Sequence, residues 1–329
     1  MMNRAFYRTC LKGIVSIFLL IGIPWLTPTT SQATAATQTP RVYLPMIENG
    51  AGIGNPPPAS TPIPTPTLMP TPIPTVAPTP TSTPTSNPGS VTILAAGDIA
   101  MCGRPGDAQT AAILGANPGT VLALGDQAYD SGLYSEYMNC YDPTWGVYKN
   151  RTYPVPGNHD YLTPNAAGYF QYFGAVAGNP SQGYYSFNLG SWHIIALNSN
   201  CTPVGGCDPG NPQYDWLVAD LKANPATCTL AYWHHPLFSS GYSGGDASMS
   251  QFWAALYNAG VDVVLSGHDH DYERFAPQDA SGKLDPQRGI VEFVVGTGGS
   301  NFTSLNTPRQ PNSITGQDTL FGVLKMNLN

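Results

Sequence analysis

Val261-Asp262-Val263-Val264-Leu265-Ser266-Gly267-His268-Asp269-His270 is a short apolar run that stops at a glycine and presents two histidines. Side chains alternate faces along a strand, but past Gly267 the chain turns, so His268 and His270 can both lean into one cleft. Alone, the pair has a plain alternative, since a His-x-His after a strand is more often a surface turn than a metal site. What weakens that alternative is repetition: similar strand ends upstream present different oxygen and nitrogen groups.

Working outward, apolar runs recur at residues 91–96, 120–124, 192–197, 229–233, 261–265 and 290–295. Segments with helical spacing lie between several of them. Asp107 is placed to cap a helix running to Leu114, Trp216, Leu217, Asp220 and Leu221 have amphipathic spacing, and 251–259 reads as another helix. Strands alternating with helices predict an α/β sheet protein, with later Gly-rich hairpins adding antiparallel strands.

The strand ends form a series. The first run ends in Gly97-Asp98 and the second in Gly125-Asp126-Gln127-Ala128-Tyr129. A third segment, Tyr153-Pro154-Val155-Pro156, leads into Gly157-Asn158-His159-Asp160, and the run from Thr229 ends in His234-His235-Pro236. Open α/β sheets place their ligand crevice at the carboxyl ends of strands, so these groups should converge. Each has a bland reading: Gly-Asp as a turn or cap, Asn158 as a left-handed turn residue, His234 or His235 as a core histidine. Together they are two carboxylates, a phenol, an amide oxygen and at least three imidazoles, which is what two cations need when one carboxylate bridges them.

Composition divides the rest of the chain of 329 residues. Arg4, Arg8 and Lys12 precede an apolar core at 13–23, and Ala33-Thr34-Ala35-Ala36 follows, the order of a signal peptide over residues 1–36. The alternative is a membrane anchor, for which the core is short. Residues 37–54 form a short segment with one apolar run, Val42-Tyr43-Leu44-Pro45-Met46-Ile47. Residues 55–89 hold 13 of the 33 prolines, mostly alternating with threonine and without charge, and predict a polyproline-II linker. The globular domain is then 90–329. Cleavage would remove three of 13 basic residues and none of 20 acidic ones, taking the net charge from −7 to −10. Such a chain does not attract nucleic acid through phosphates. No later stretch is long and apolar enough to span a bilayer, so the expectation is a secreted or cell-surface protein, with the linker as a tether. Cys10 lies in the leader, leaving Cys102, Cys140, Cys201, Cys207 and Cys228. Cys102 with Cys140 and Cys201 with Cys207 are the expected disulfides, and Cys228, opening a strand at the opposite edge from Cys201 if the strands are parallel, stands outside both.

The ordered set Gly97-Asp98, Gly125-Asp126-x-x-Tyr129, Gly157-Asn158-His159-Asp160, His234-His235-Pro236 and Gly267-His268-x-His270 resembles the calcineurin-like metallophosphoesterase superfamily. Tyr129 is similar to the purple acid phosphatase branch. The resemblance spans Val91 to about Gly299. Asp98-Ile99-Ala100 stands where the family usually reads Asp-x-Gly, and Ala231 where the fourth motif often has Val; both spare the ligand positions. Residues 321–329 read as a strand whose hairpin partner is missing, as in a domain cut short.

The resemblance implies a four-layer α/β/β/α sandwich with two metal ions. Asp98, Asp126, Tyr129 and His270 would hold one, Fe(III), and Asp126, Asn158, His234 and His268 the other, Fe(II), zinc or manganese. It implies hydrolysis of small phosphate monoesters by a hydroxide held between the ions, with Asp126 as bridge and His159 assisting the leaving group. His235 and Arg104 are candidates for phosphate contact, each with a core or surface role equally open, and His193 reads as structural. The alternatives are a phosphodiesterase or nucleotidase at the same site, whose pocket walls at 161–190 and 239–250 are not readable, and a tethered surface protein of this fold without turnover.

Overall fold

Residues 192–197 read Trp-His-Ile-Ile-Ala-Leu, with large apolar groups at both parities, and such a run is stable as a strand covered on both faces. The chain does this repeatedly. In the structure, a computed structural model that describes residues 17–21 and 91–328, Trp192, Ile194 and Ala196 enter one apolar core while Ile195 and Leu197 enter another. Leu230 and Tyr232 against Ala231 and Trp233, and Val263 and Leu265 against Val264, repeat the division.

The strands are β1 (Ile17–Ile21), β2 (Val91–Ala96), β3 (Ala100–Met101), β4 (Thr120–Leu124), β5 (Ala128–Tyr129), β6 (Thr152–Val155), β7 (Tyr185–Leu189), β8 (Trp192–Ala196), β9 (Cys228–Tyr232), β10 (Val263–Ser266), β11 (Tyr272–Phe275), β12 (Val291–Val295), β13 (Ser313–Gln317) and β14 (Gly322–Leu328). A five-stranded sheet runs β1-β14-β2-β4-β6 and a seven-stranded sheet β13-β11-β12-β10-β9-β8-β7, with β3 and β5 as a small ribbon. β2, β4 and β6 are parallel, as are β8, β9, β10 and β12, so their carboxyl ends gather at one edge of each sheet. The principal helices are α1 (Gly106–Ala116), α2 (Ala167–Phe173), α3 (Pro212–Ala223) and α4 (Ser250–Ala259). Leu217 of α3 and Phe252, Trp253 and Leu256 of α4 cover the outer face of the larger sheet. Ala111 and Leu114 of α1 join the other core, completing the four-layer α/β/β/α order.

Three expectations are corrected. Asp107 does not cap α1: Pro105 holds the cap position, and the Asp107 carboxylate accepts the Thr144 hydroxyl at 2.8 Å. The C-terminal run forms β14 with antiparallel neighbours on both edges, β2 and β1, so it does not lack a partner. Cys102 pairs with Cys140 and Cys201 with Cys207, but Cys228 is disulfide-bonded too and does not stand free. Of the expected leader only residues 17–21 are described, as a strand; the expected cleavage site, the 37–54 segment and the expected Pro/Thr linker lie outside the described residues. No described helix is long and apolar enough to cross a membrane.

Asp262, just ahead of β10, accepts the Thr229 amide at 3.0 Å, and burial pushes its carboxyl up to about 7. The unfolded group titrates near 3.9, so the folded chain holds a proton that the unfolded chain has lost. This stabilisation is complete below about pH 4 and disappears as the pH rises through 7. In Asp262→Asn, denaturation midpoints measured from pH 4 to 8 should decline less steeply than in the parent.

Candidate metal centre

Three strands end in a glycine followed by a residue in left-handed backbone: Asp98 (φ 61°) after β2, Asp126 (φ 49°) after β4 and His268 (φ 71°) after β10. The conformation swings each side chain off its strand and over the sheet end. It costs on the order of 1–2 kcal/mol per non-glycine residue, so the surroundings must impose it. Backbone donors contribute. The amide of His268 donates to Asp98 Oδ2 at 2.8 Å and that of His159 to Asp126 Oδ1 at 2.8 Å, leaving the other oxygen of each carboxylate for the cluster.

The structure brings all seven proposed ligands together in two groups. In the first, the Tyr129 hydroxyl lies 2.8 Å from Asp98 Oδ1, 3.1 Å from Asp126 Oδ2 and 3.1 Å from His270 Nε2. His270 Nε2 is also 3.2 Å from Asp98 Oδ1. In the second, Asn158 Oδ1 lies 3.0 Å from His234 Nε2 and 3.0 Å from His268 Nδ1, and those nitrogens are 3.3 Å apart. One atom belongs to both groups: Asp126 Oδ2, 3.3 Å from His234 Nε2. The carboxylates and the amide oxygen come from the ends of the five-stranded sheet, the phenol from the β3–β5 ribbon and the imidazoles from the seven-stranded sheet, so the cluster bridges the two large sheets.

The ring tautomers suit cations. His234 Nδ1 faces the Leu124 carbonyl at 2.8 Å and must donate to it, so a neutral ring turns a bare lone pair towards the acceptors Asn158 Oδ1 and Asp126 Oδ2. Only a proton or a metal ion among these atoms makes the contact favourable. Burial opposes the proton, but the charge of Asp126 outweighs it and lifts His234 to about 9. Burial would likewise raise Asp126, yet His234 beside it holds its carboxyl well below the usual range. His270 is raised because Asp98 overcomes burial, and burial lowers His268. Burial, with the charges of Asp126 and Asp98, drives Tyr129 well above the ordinary phenol value. Without a cation it keeps its proton and donates to Asp98, so binding a metal as phenolate would expel that proton. The residues therefore fit a pair of cations, hard oxygen donors on one side and more imidazole on the other.

His159 sits at the rim. Its ring packs on Tyr129 with centroids 4.5 Å apart, and its Nδ1 faces the Asp130 carbonyl at 2.6 Å, which directs the Nε2 edge away. His235 packs on His268 with centroids 4.5 Å apart, and burial, reinforced by His234, pushes its ring down to about 2. Arg104 lies on an exposed turn, and no hydrogen bond or ion pair among the described residues ties its side chain to the cluster. His193 is buried in β8 and bonds Asp220 at 2.7 Å and Asn188 at 2.9 Å, remote from the cluster in its contacts.

Several supporting residues have no signal in the sequence. Asn301 Oδ1 lies 3.0 Å from His270 Nδ1, and Thr303 Oγ1 accepts the His270 amide at 3.1 Å, both from a loop after β12. Asp160, by contrast the last residue of the Gly157–Asp160 motif, is fully buried, accepts the Tyr137 hydroxyl at 2.6 Å and the Gly157 amide at 2.8 Å, and is pushed up to about 7 by burial and then by Asp126. The wall at 237–244 is fastened by three buried acids. Glu292 accepts the Leu237 and Phe238 amides, both at 3.2 Å, Glu273 the Ser240 amide at 2.7 Å, and Asp269 the Ser243 amide at 2.7 Å and the Ser239 hydroxyl. Asp269, between two proposed ligands, thus faces away from them and orders the adjacent loop.

Residues 91–272 match the family described as Calcineurin-like phosphoesterase. Purple acid phosphatase 15 of Arabidopsis thaliana is 29% identical over 221 residues, covering 56% of this chain and 40% of that protein. Purple acid phosphatase 1 of Ipomoea batatas is 27% identical over 235 residues, covering 61% and 49%. The chain thus spans less than half the length of these relatives. Among solved structures, purple acid phosphatase PPD1 from yellow lupin seeds superposes with a TM-score of 0.59 at 17% identity, covering 73% of this chain and 49% of that one. GAP50, described as the anchor in the inner membrane complex of Plasmodium, gives 0.55 at 15% identity, covering 72% and 80%. With the family match over more than half its length and its strand-end residues gathered in one cluster, the chain belongs to the calcineurin-like phosphoesterase family, and purple acid phosphatases are among the proteins it is similar to.

Proposed function

We propose that this chain hydrolyses phosphate monoesters at a two-cation centre, with Asp98, Asp126, Tyr129 and His270 holding one ion and Asp126, Asn158, His234 and His268 the other. The observation that supports this most is the single oxygen, Asp126 Oδ2, in reach of both donor groups. The phenolate that Tyr129 would offer suits a ferric ion, and the nitrogen-richer group suits Fe(II), zinc or manganese. Bound there, the cations would neutralise the ester's anionic oxygens and acidify a water towards neutral pH. The chain supplies the rest. His159, with Nδ1 tied to the Asp130 carbonyl, presents Nε2 to the leaving oxygen, and its imidazolium can give up that proton while the Nδ1–H bond persists. His235, whose ring packs on that of His268, is a further group that would contact a phosphate held on the cluster.

The setting we propose is outside the cell. Disulfides suit an oxidising compartment, the leader pattern routes the chain there, and the Pro/Thr linker would hold the domain off a surface. A role without turnover is the other reading, favoured by the likeness to GAP50, itself described as an anchor. The convergence of seven donor residues counts against it.

Hydrolysis of p-nitrophenyl phosphate and of its bis-ester, assayed with iron, zinc and manganese, separates these readings. Asp126→Asn should lose at least about 10³-fold in turnover. His159→Ala should lose about 10²-fold or more while retaining its metal, and metal loss there would rule out the leaving-group role. A preference for the bis-ester would make the chain a diesterase, and bound metal with neither reaction would favour the anchor reading. Iron-loaded protein should show a phenolate-to-iron absorption in the visible that vanishes in Tyr129→Phe. In Gly157→Ala the new methyl would overlap Asp126 Oδ1 and crowd its amide at 2.5 Å. Metal affinity by titration should fall by about 10- to 100-fold.

A further inference from the structure

Behind His235 stands a serine that no motif contains. Ser199 lies just past β8 and is 3% exposed. Its Oγ accepts the backbone amide of His235 at 3.1 Å and lies 2.7 Å from His235 Nδ1. A serine hydroxyl has one proton to give. Were Nδ1 the donor in the ring contact, Oγ would accept twice and its own proton would face no acceptor among the described residues. The arrangement in which every group is satisfied has Ser199 Oγ–H donating to Nδ1, which places the ring proton on Nε2. His235 Nε2 makes no hydrogen bond to a described residue, nor is it among the buried polar atoms without a partner, so it opens on the cleft. The ring stands 4.9 Å from that of His234 and 4.5 Å from that of His268, centroid to centroid.

We infer that Ser199 is a positioning residue that fixes His235 as the neutral Nε2–H tautomer, a hydrogen-bond donor to the phosphoryl oxygens of a substrate held on the adjoining cluster. This rests on the phosphoesterase reading above. It also separates His235 from its neighbours: His234, His235 and His268 each offer a ring nitrogen within 4.8 Å of the others, a metal-like trio, but a nitrogen that carries a proton has no lone pair to give. A neutral donor beside cations suffers no repulsion from them and can meet charge that develops on phosphorus oxygens. The pair is held rigidly. Asn198 exchanges hydrogen bonds with the Gln213 amide at 2.7 and 2.9 Å, the Ser199 carbonyl accepts the Cys201 amide at 3.0 Å where the Cys201–Cys207 disulfide begins, and the His235 carbonyl accepts the Trp233 indole at 2.7 Å.

The test is long-range proton–nitrogen NMR of the histidine rings in the zinc-loaded chain, together with calorimetric binding of inorganic phosphate. The parent should show His235 as Nε2–H, and Ser199→Ala should shift that signal towards a mixture while Ser199→Thr preserves it. Phosphate affinity should fall about tenfold in Ser199→Ala and in His235→Ala with two metals retained, and no further in the double variant. An Nδ1–H signal in the parent, multiplying losses in the double variant, or loss of a metal in His235→Ala would each overturn the assignment. Phosphate binding with the expected pattern but no turnover would support it while removing the hydrolase reading.

Discussion

Close approach of the strand ends is the constraint on which the site depends. Asp126 can touch both donor groups only because glycines precede or face it. A methyl on Gly125 would strike the His234 ring, one on Gly267 would come within 2.7 Å of Asp98 Oδ2, and one on Gly157 would strike Asp126 itself. Left-handed backbone at Asp98, Asp126 and His268 is tolerated because the carboxylates and amides of these turns satisfy one another across motifs. The strain is thus offset by bonds between segments far apart in sequence, and each motif needs the others to hold its shape.

The cleft is also an electrostatic problem. Only 10% of residues are charged, yet Asp98, Asp126, Asp160, Asp269, Glu273 and Glu292 are all buried around it. No lysine or arginine is paired with these six among the described residues. Some are balanced by histidine, others by backbone amides that bring partial positive charge at short range. The result is a cleft in which Asp98 and Asp126 can accept cations, with a wall at 237–244 held by buried acids as well as by the packing of Leu237 and Phe238 on the core.

Much of this could be read in advance because it is local. The parity of Trp192 to Leu197 and Val261 to Leu265 announced strands covered on both faces, and a glycine followed by a donor announced each turn into the cleft. The element bounds shifted slightly, as where β10 begins at Val263, because Asp262 turns its carboxylate to the Thr229 amide first. What was not legible is what depends on distant partners. Asn301 behind His270, Ser199 behind His235 and Asp269 behind the 237–244 loop are ordinary polar residues in sequence, and only the fold gives them work. The neighbour that β14 finds in β1 escaped for the same reason.

The cluster draws its carboxylates from one large sheet and its imidazoles from the other, with chain separations such as that from Asp98 to His268, 170 residues apart. No fragment of the domain can therefore assemble it, and neither can a collapsed state whose sheets have not docked. Cations would bind only at the end of folding, and by mass action would hold the two layers shut with a strength that grows with the logarithm of free metal concentration. Metal supply would then govern how long the chain endures as well as whether it works.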